Sequence, residues 1–186
     1  MEEAYKKSDI EILVSTMNRN SFDFLEAMFP FRHFSEFKIL IINQTFEGVL
    51  LESDYPSVRV INSYERGLSK SRNMALDNSV VFKEDFEQHI LEAYCAYAGA
   101  ALITFRIEKA AGVLYRKYPS ETISNLSVIS RIGIMSVEMV LNLAIIRRAN
   151  IRFDENFGLG AKFCMGEEAL FTDAIYRQKK QIVMAA

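Results

Sequence analysis

Three short apolar runs near the start of the chain constrain its fold more than any other feature: Ile10 to Thr16 (IEILVST), Lys38 to Asn43 (KILIIN) and Val58 to Asn62 (VRVIN). Each is ended by polar residues, which predicts a buried strand. Between the first two, Phe22, Leu25, Met28 and Phe29 recur at helical spacing behind a polar cap, Asn20 or Ser21, and Pro30 marks the helix end. After the third run a turn at Gly67 leads into a second helix, Ser69 to Asn78. The order strand, helix, strand, loop, strand, helix predicts a parallel sheet covered by helices.

The rest of the chain continues in the same α/β style. Glu84 to Ala98 carries Phe86, Ile90, Ala93, Tyr94 and Tyr97 on one face, an amphipathic helix. Ala101 to Ile107 (ALITFRI) reads as a strand, and Glu108 to Arg131, with Gly112, Pro119 and several Ser and Asn residues, as a long excursion over the sheet edge. Ser136 to Leu143 is predicted as a strand, Ala144 to Asn150 as a short helix and Glu167 to Lys179 as a final helix. With 186 residues, half of them hydrophobic, and no internal repeat or linker, the expectation is a single domain spanning 1–186.

Charge and cysteine usage exclude some classes of function. The 22 basic and 24 acidic residues leave a net charge of -2, so no global field draws the chain to nucleic acid. Cys95 and Cys164 lie far apart, outside any CxxC pattern, and are expected to be buried thiols of a reducing compartment. The N-terminal MEEAYKKSDI lacks an apolar h-region, and Ile39 to Ile42 and Val137 to Ile146 are shorter than the ~18 apolar residues of a membrane span. The expectation is a cytoplasmic protein, with peripheral membrane association left open.

Three stretches carry a resemblance: STMNRN after the first strand, GLSKSRNMALDNS from Gly67, and IRFDENFGLGAKFCMGEEALF from Ile151. In order and spacing they resemble the inverting family 2 of nucleotide-sugar glycosyltransferases, which share the GT-A fold, a Rossmann-like α/β sandwich with a mostly parallel central sheet and helices on both faces. The resemblance implies a nucleoside-diphosphate sugar donor lying over the carboxyl ends of the strands, and a saccharide or other hydroxyl acceptor. It also implies a Mg²⁺ or Mn²⁺ ion.

By that resemblance Ser15, Thr16, Asn18 and Arg19 would contact base and ribose, while ordinary capping at a strand-to-helix turn is the alternative. The family commonly has an acidic residue after the second strand. Here Asn43, Gln44 and Thr45 stand instead, and an amide can also read a base edge. Gly67 would allow close backbone approach to the diphosphate. Arg72 would bring a permanent charge, Lys70 a point charge and Asn73 a polar contact, against the alternative of a solvated surface helix. Glu168 is the implied general base for the acceptor hydroxyl, with Glu167 as an alternate or orienting group. First-turn acids favoured by the helix dipole are the competing reading. Asp154, Glu155, Phe157 and Gly158 match the loop that helps position the acceptor.

One part of the pattern is missing. The family places a buried strand and a DxD-type metal site after the second helix, but here NSV runs directly into VFKEDFEQ, with only Val80 and Val81 between the two helices. Glu84 and Asp85 fall at a helix start, where acids are favoured in any case, and are not reassigned as ligands. A lost central strand would expose unpaired backbone, so the expectation is a segment absent from the sequence near 80–81, and a chain incomplete at its C-terminus. A true deletion and a catalytically silent relative are the alternatives.

The leading reading is inverting transfer of a sugar to a hydroxyl acceptor in polysaccharide synthesis. A non-catalytic nucleotide-sugar-binding or interaction module is the alternative. A nucleotidyltransferase would carry a Gly-rich basic loop near the first strand, where STMNRN has no glycine.

Overall fold

The computed structural model describes residues 5–65, 67, 82–109, 112–124, 126–158 and 160–186, which cluster into two compact units. The first comprises residues up to Leu91 together with Glu155–Met165, and the second comprises Glu92–Asp154 and Gly166–Ala186.

In the first unit the three apolar runs are strands β1 (Ile12–Met17), β2 (Ile39–Gln44) and β3 (Val58–Ser63), parallel and in that order. Helix α1 (Asp23–Met28) follows β1 and ends at Phe29, before Pro30. Its cap position is taken by Phe22, which provides no side-chain cap, in place of the expected Asn20 or Ser21. The physical reason is packing: the Phe22 ring lies 5.4 Å from Phe34 and 6.0 Å from Tyr55, and aromatic burial outweighs a cap hydrogen bond. One face of the sheet (Ile12, Val14, Ile39, Ile41, Val58) packs on Leu25, Met28 and Phe29. A phenylalanine stack extends that core, with Phe29 at 4.6 Å from Phe37 and 5.0 Å from Phe82. The expected helix over Ser69 to Asn78 lies outside the described residues.

Helix α2 (Phe86–Ala96) begins in the first unit and ends in the second. There β4 (Ala100–Thr104) is buried along its whole length between antiparallel β5 (Met139–Leu141) and parallel β6 (Gln181–Met184). The strand expected over Ser136 to Leu143 is shorter because Ser136–Glu138 forms a 3-10 turn, closed by the Glu138 carboxylate accepting from the Met135 backbone N–H at 3.2 Å. The sequence reading also missed β6, whose four residues follow a Lys-rich turn. Helices α3 (Val128–Ile132), α4 (Leu143–Arg148) and α5 (Glu167–Arg177) complete the unit. The long excursion contains α3, capped by Ser127, and a bridge from Ile123 to Met184 of β6.

The element order and parallel strands make this a Rossmann-like α/β fold. Two other expectations meet the structure. Cys95 and Cys164 are exposed and unbridged, not buried, since each falls among solvent-facing neighbours in α2 or in the 155–165 loop. Among the described residues no helix is long and apolar enough to cross a membrane.

Candidate functional site

The parallel register aligns Thr16, Asn43 and Asn62 in one row near the carboxyl ends of β1, β2 and β3. Below them, on the same face, lie the apolar rows of Val14, Ile41 and Val60 and of Ile12, Ile39 and Val58. Asn43 is fully buried and its amide is engaged on both sides. Its Oδ1 accepts from the Arg19 backbone N–H at 3.0 Å, and its Nδ2 donates to the Arg19 carbonyl at 2.9 Å and to Asn62 Oδ1 at 2.9 Å. The side chain thereby carries the β1–β2 pairing on to Arg19, beside the backbone bond that Asn18 makes to Gln44. Asn62 repeats the device, pairing with the Leu51 N–H and carbonyl at 3.1 and 3.0 Å.

This clamp fixes the turn after β1. Asn18 adopts φ 51, a left-handed conformation that asparagine tolerates, and donates its N–H to the Gln44 carbonyl at 2.9 Å. Arg19 is exposed; its Nε donates to Thr16 Oγ1 at 3.3 Å and its guanidinium lies 5.1 Å from the Phe24 ring centre. Thr16 and Phe24 together hold a permanent cation at the sheet's carboxyl edge. Ser15 is buried within β1. Thr45 is buried as well, donating its hydroxyl to the Val49 carbonyl at 2.6 Å.

Gln44 reaches the Gly67 turn, its Nε2 donating to the Glu65 and Gly67 carbonyls at 3.0 and 3.1 Å. Gly67, at φ 130, in turn meets Gly160 of the 155–165 loop. That loop folds on itself: Gly158 donates to Phe163 at 2.8 Å, Phe163 to Asn156 at 2.8 Å, and the Phe157 and Phe163 rings stack at 4.8 Å. The first unit thus brings together Thr16, Asn18, Arg19, Asn43, Gln44 and Gly67, all singled out in the sequence, while Gly158 bonds within its own loop. Glu155 is exposed at the start of the loop. Lys70, Arg72 and Asn73 lie outside the described residues.

Glu167 and Glu168 belong to the second unit, in the first turn of α5, which follows Gly166 at φ 100. The left-handed glycine turns the chain sharply into the helix. Glu167 is buried and Glu168 is partly exposed, accepting from Ser136 Oγ at 3.4 Å. Asp154 is in the same unit and exposed.

Sequence reasoning missed the group behind this turn. Glu138, 1% exposed, accepts from Arg116 Nε and Nη2 at 2.9 and 2.7 Å and from the Tyr118 hydroxyl at 2.6 Å. The bidentate pairing raises the Arg116 pKa, and burial followed by the Glu138 bond raises that of Tyr118. A polar triplet from the excursion and the strand edge has no local pattern that would have flagged it.

Among the described residues no group of three or more His, Cys, Asp or Glu side chains is placed to hold a metal ion. The described residues therefore supply no ligand set for the implied Mg²⁺ or Mn²⁺.

No protein-family model matches the chain, and no curated protein matches it in sequence. A solved structure, S. aureus TarS 1-349, is similar with a TM-score of 0.57 at 14% identity, over 93% of this chain and 58% of that one. The likeness is one of fold, and the chain spans 58% of that neighbour's length.

Proposed function

We propose that this chain is a nucleotide-sugar glycosyltransferase of the inverting family 2 type, moving a sugar from a nucleoside diphosphate to the hydroxyl of a growing saccharide in polysaccharide synthesis. The observation that carries this reading is the rim at the carboxyl ends of β1 to β3. There Asn43 holds the Asn18–Arg19 turn and Gln44 holds Gly67, at the edge where open α/β sheets take nucleotides. The fold shared with the solved structure S. aureus TarS 1-349 is compatible with this reading.

In this reading Arg19, Asn18 and Thr16 receive the nucleoside part of the donor. Asn43 and Gln44 act from behind, shaping the backbone that the donor meets. Gly67 faces the diphosphate, and by the resemblance Arg72 and Lys70 would offset its charge. Glu168 takes the acceptor proton as the acceptor oxygen bonds to the anomeric carbon; the bond to the diphosphate breaks with inversion, and its electron pair leaves on the diphosphate. Asp154, Glu155 and Gly158 belong to the acceptor side. A divalent cation would neutralise the departing diphosphate, but no step is assigned to it, since the described residues offer no ligand set.

The test is incubation of the full chain with UDP-, GDP- and dTDP-sugars, with and without Mn²⁺, following diphosphate release and thermal stability. Saturable diphosphate release that is lost in Glu168→Gln and weakened in Arg19→Ala supports the proposal. Stabilisation without turnover leaves a nucleotide-sugar-binding module. No stabilisation by any nucleotide sugar overturns the reading.

A further inference from the structure

We infer that Ser136 is a positioning residue for Glu168, held in place by the buried Glu138–Arg116–Tyr118 group; the catalytic half of the inference rests on the role proposed for Glu168. Glu168 sits in the first turn of α5 behind a glycine cap that contributes no side-chain hydrogen bond. Ser136, 6% exposed, donates from Oγ to Glu168 Oε1 at 3.4 Å.

What makes Ser136 more than an incidental neighbour is the rigidity of its own turn. Ser136 opens the 3-10 turn Ser136–Glu138, and the last residue of that turn is fixed at both ends. The Glu138 carboxylate takes donors from Arg116 Nε, Arg116 Nη2, Tyr118 OH and Met135 N, at 2.6 to 3.2 Å. Its carbonyl accepts from Phe105 N at 2.9 Å, tying the turn to the end of β4. Bonds of this number and burial leave the turn little freedom, and the Ser136 hydroxyl inherits that order. Support of this kind, in which an outer group fixes the group that reacts, is what catalytic geometry demands.

Among the described residues, charged groups of α3 and α5 have partners away from Glu168. Arg131 of α3 donates to the Leu126 carbonyl at 2.9 Å and lies 3.7 Å from the Tyr176 ring centre, and Asp173 pairs with Arg177 at 2.6 Å. Glu167 is buried beside Glu168 in the same turn and is retained in every variant below.

The experiment uses the full chain labelled with carboxyl-¹³C glutamate, with the Glu168 resonance assigned by its loss in Glu168→Gln. Removing a donor from a carboxylate disfavours its charged form. Ser136→Ala is therefore expected to move the pH midpoint of the Glu168 carboxyl resonance upward. Ser136→Thr is expected to return it. Glu138→Gln, which disturbs the turn but retains Ser136, should shift the same midpoint while leaving the other glutamates in place. A Glu168 midpoint unmoved by Ser136→Ala overturns the inference whether or not the chain turns over a sugar. A shifted midpoint, with diphosphate release from the donor panel unaffected by Glu168→Gln, instead overturns the base assignment and with it the catalytic half. With turnover, Ser136→Ala should displace the acidic limb of the kcat profile by the same amount at unchanged donor KM; an unmoved limb also counts against it.

Discussion

Gly67 and Gly160 meet backbone to backbone: a Cβ placed on Gly160 would lie 3.6 Å from the Gly67 Cα and 3.9 Å from its nitrogen. Through this contact the loop that opens the GLSKSRN stretch touches the loop of the GLGAKF stretch.

Gly160 has φ 81, so alanine there bears the left-handed penalty of about 1–2 kcal/mol. A contact at 3.6 Å is ordinary packing and adds no clash of its own. Gly48, at φ 89 with nothing within 4 Å, is the reference for conformation alone. Gly160→Ala and Gly48→Ala are expected to lower the urea midpoint equally, whereas Gly160→Val should lower it clearly more than Gly48→Val. Equal losses for both valines would show that the glycine contact does not constrain the loop.

Asn43→Leu preserves approximate shape but leaves the Arg19 N–H and carbonyl without the amide, and should cost about 2 kcal/mol in urea unfolding. Asn43→Asp should cost more at neutral pH, because an acceptor then faces the Arg19 carbonyl and Asn62 Oδ1 in a fully buried position. Faster hydrogen exchange at the Arg19 amide in both variants is the local readout. An Asp variant as stable as wild type would rule out the clamp.

Glu138→Ala leaves Arg116 beside an emptied buried site, and breaking such a pair typically costs about 3–5 kcal/mol. The lower end is expected, since the Arg116 side chain is 27% exposed. The double variant Glu138→Leu with Arg116→Met should recover part of the loss. A double variant no more stable than Glu138→Ala would show that the unpaired Arg116 charge is not what destabilises the single variant.

Tyr118 has its pKa raised, first by burial and next by its bond to Glu138, above the usual phenol value of about 10. The folded state therefore binds that proton more tightly than the unfolded chain. The contribution is fully present below pH ~10 and is lost as pH rises through the raised value. Stability should fall on the alkaline side, and Tyr118→Phe should flatten that fall while lowering stability at pH 7. Identical alkaline slopes for the two proteins would argue against it.

Much of the fold was readable from local pattern. The runs IEILVST, KILIIN and VRVIN each place apolar residues in a short span ended by polar ones, and a buried strand needs nothing more. Their parallel order followed from the helix between the first two. The turn at Gly67 was also legible, because a positive-φ glycine leaves its mark in residue type. At the helix start before Asp23 the local rule failed, since Phe22 gains more from the rings of Phe34 and Tyr55 than a polar cap would. The cysteines failed for a related reason: residue type sets the tendency to be buried, but the face of α2 or the course of a loop sets the outcome.

The sequence by itself determined which residues were polar at the strand ends; only the tertiary structure decided what those polar groups do. Asn43 looks like a ligand contact in the chain, yet the register that sets it between Thr16 and Asn62 turns its amide inward to the Arg19 backbone. Arg116, Tyr118 and Glu138 carry no spacing that links them until the excursion folds back on the start of β5. Hydrophobic periodicity is a property of neighbours along the chain and survives in any short window. A hydrogen-bond partner depends on which distant residue the register and loops deliver, and no short window contains it.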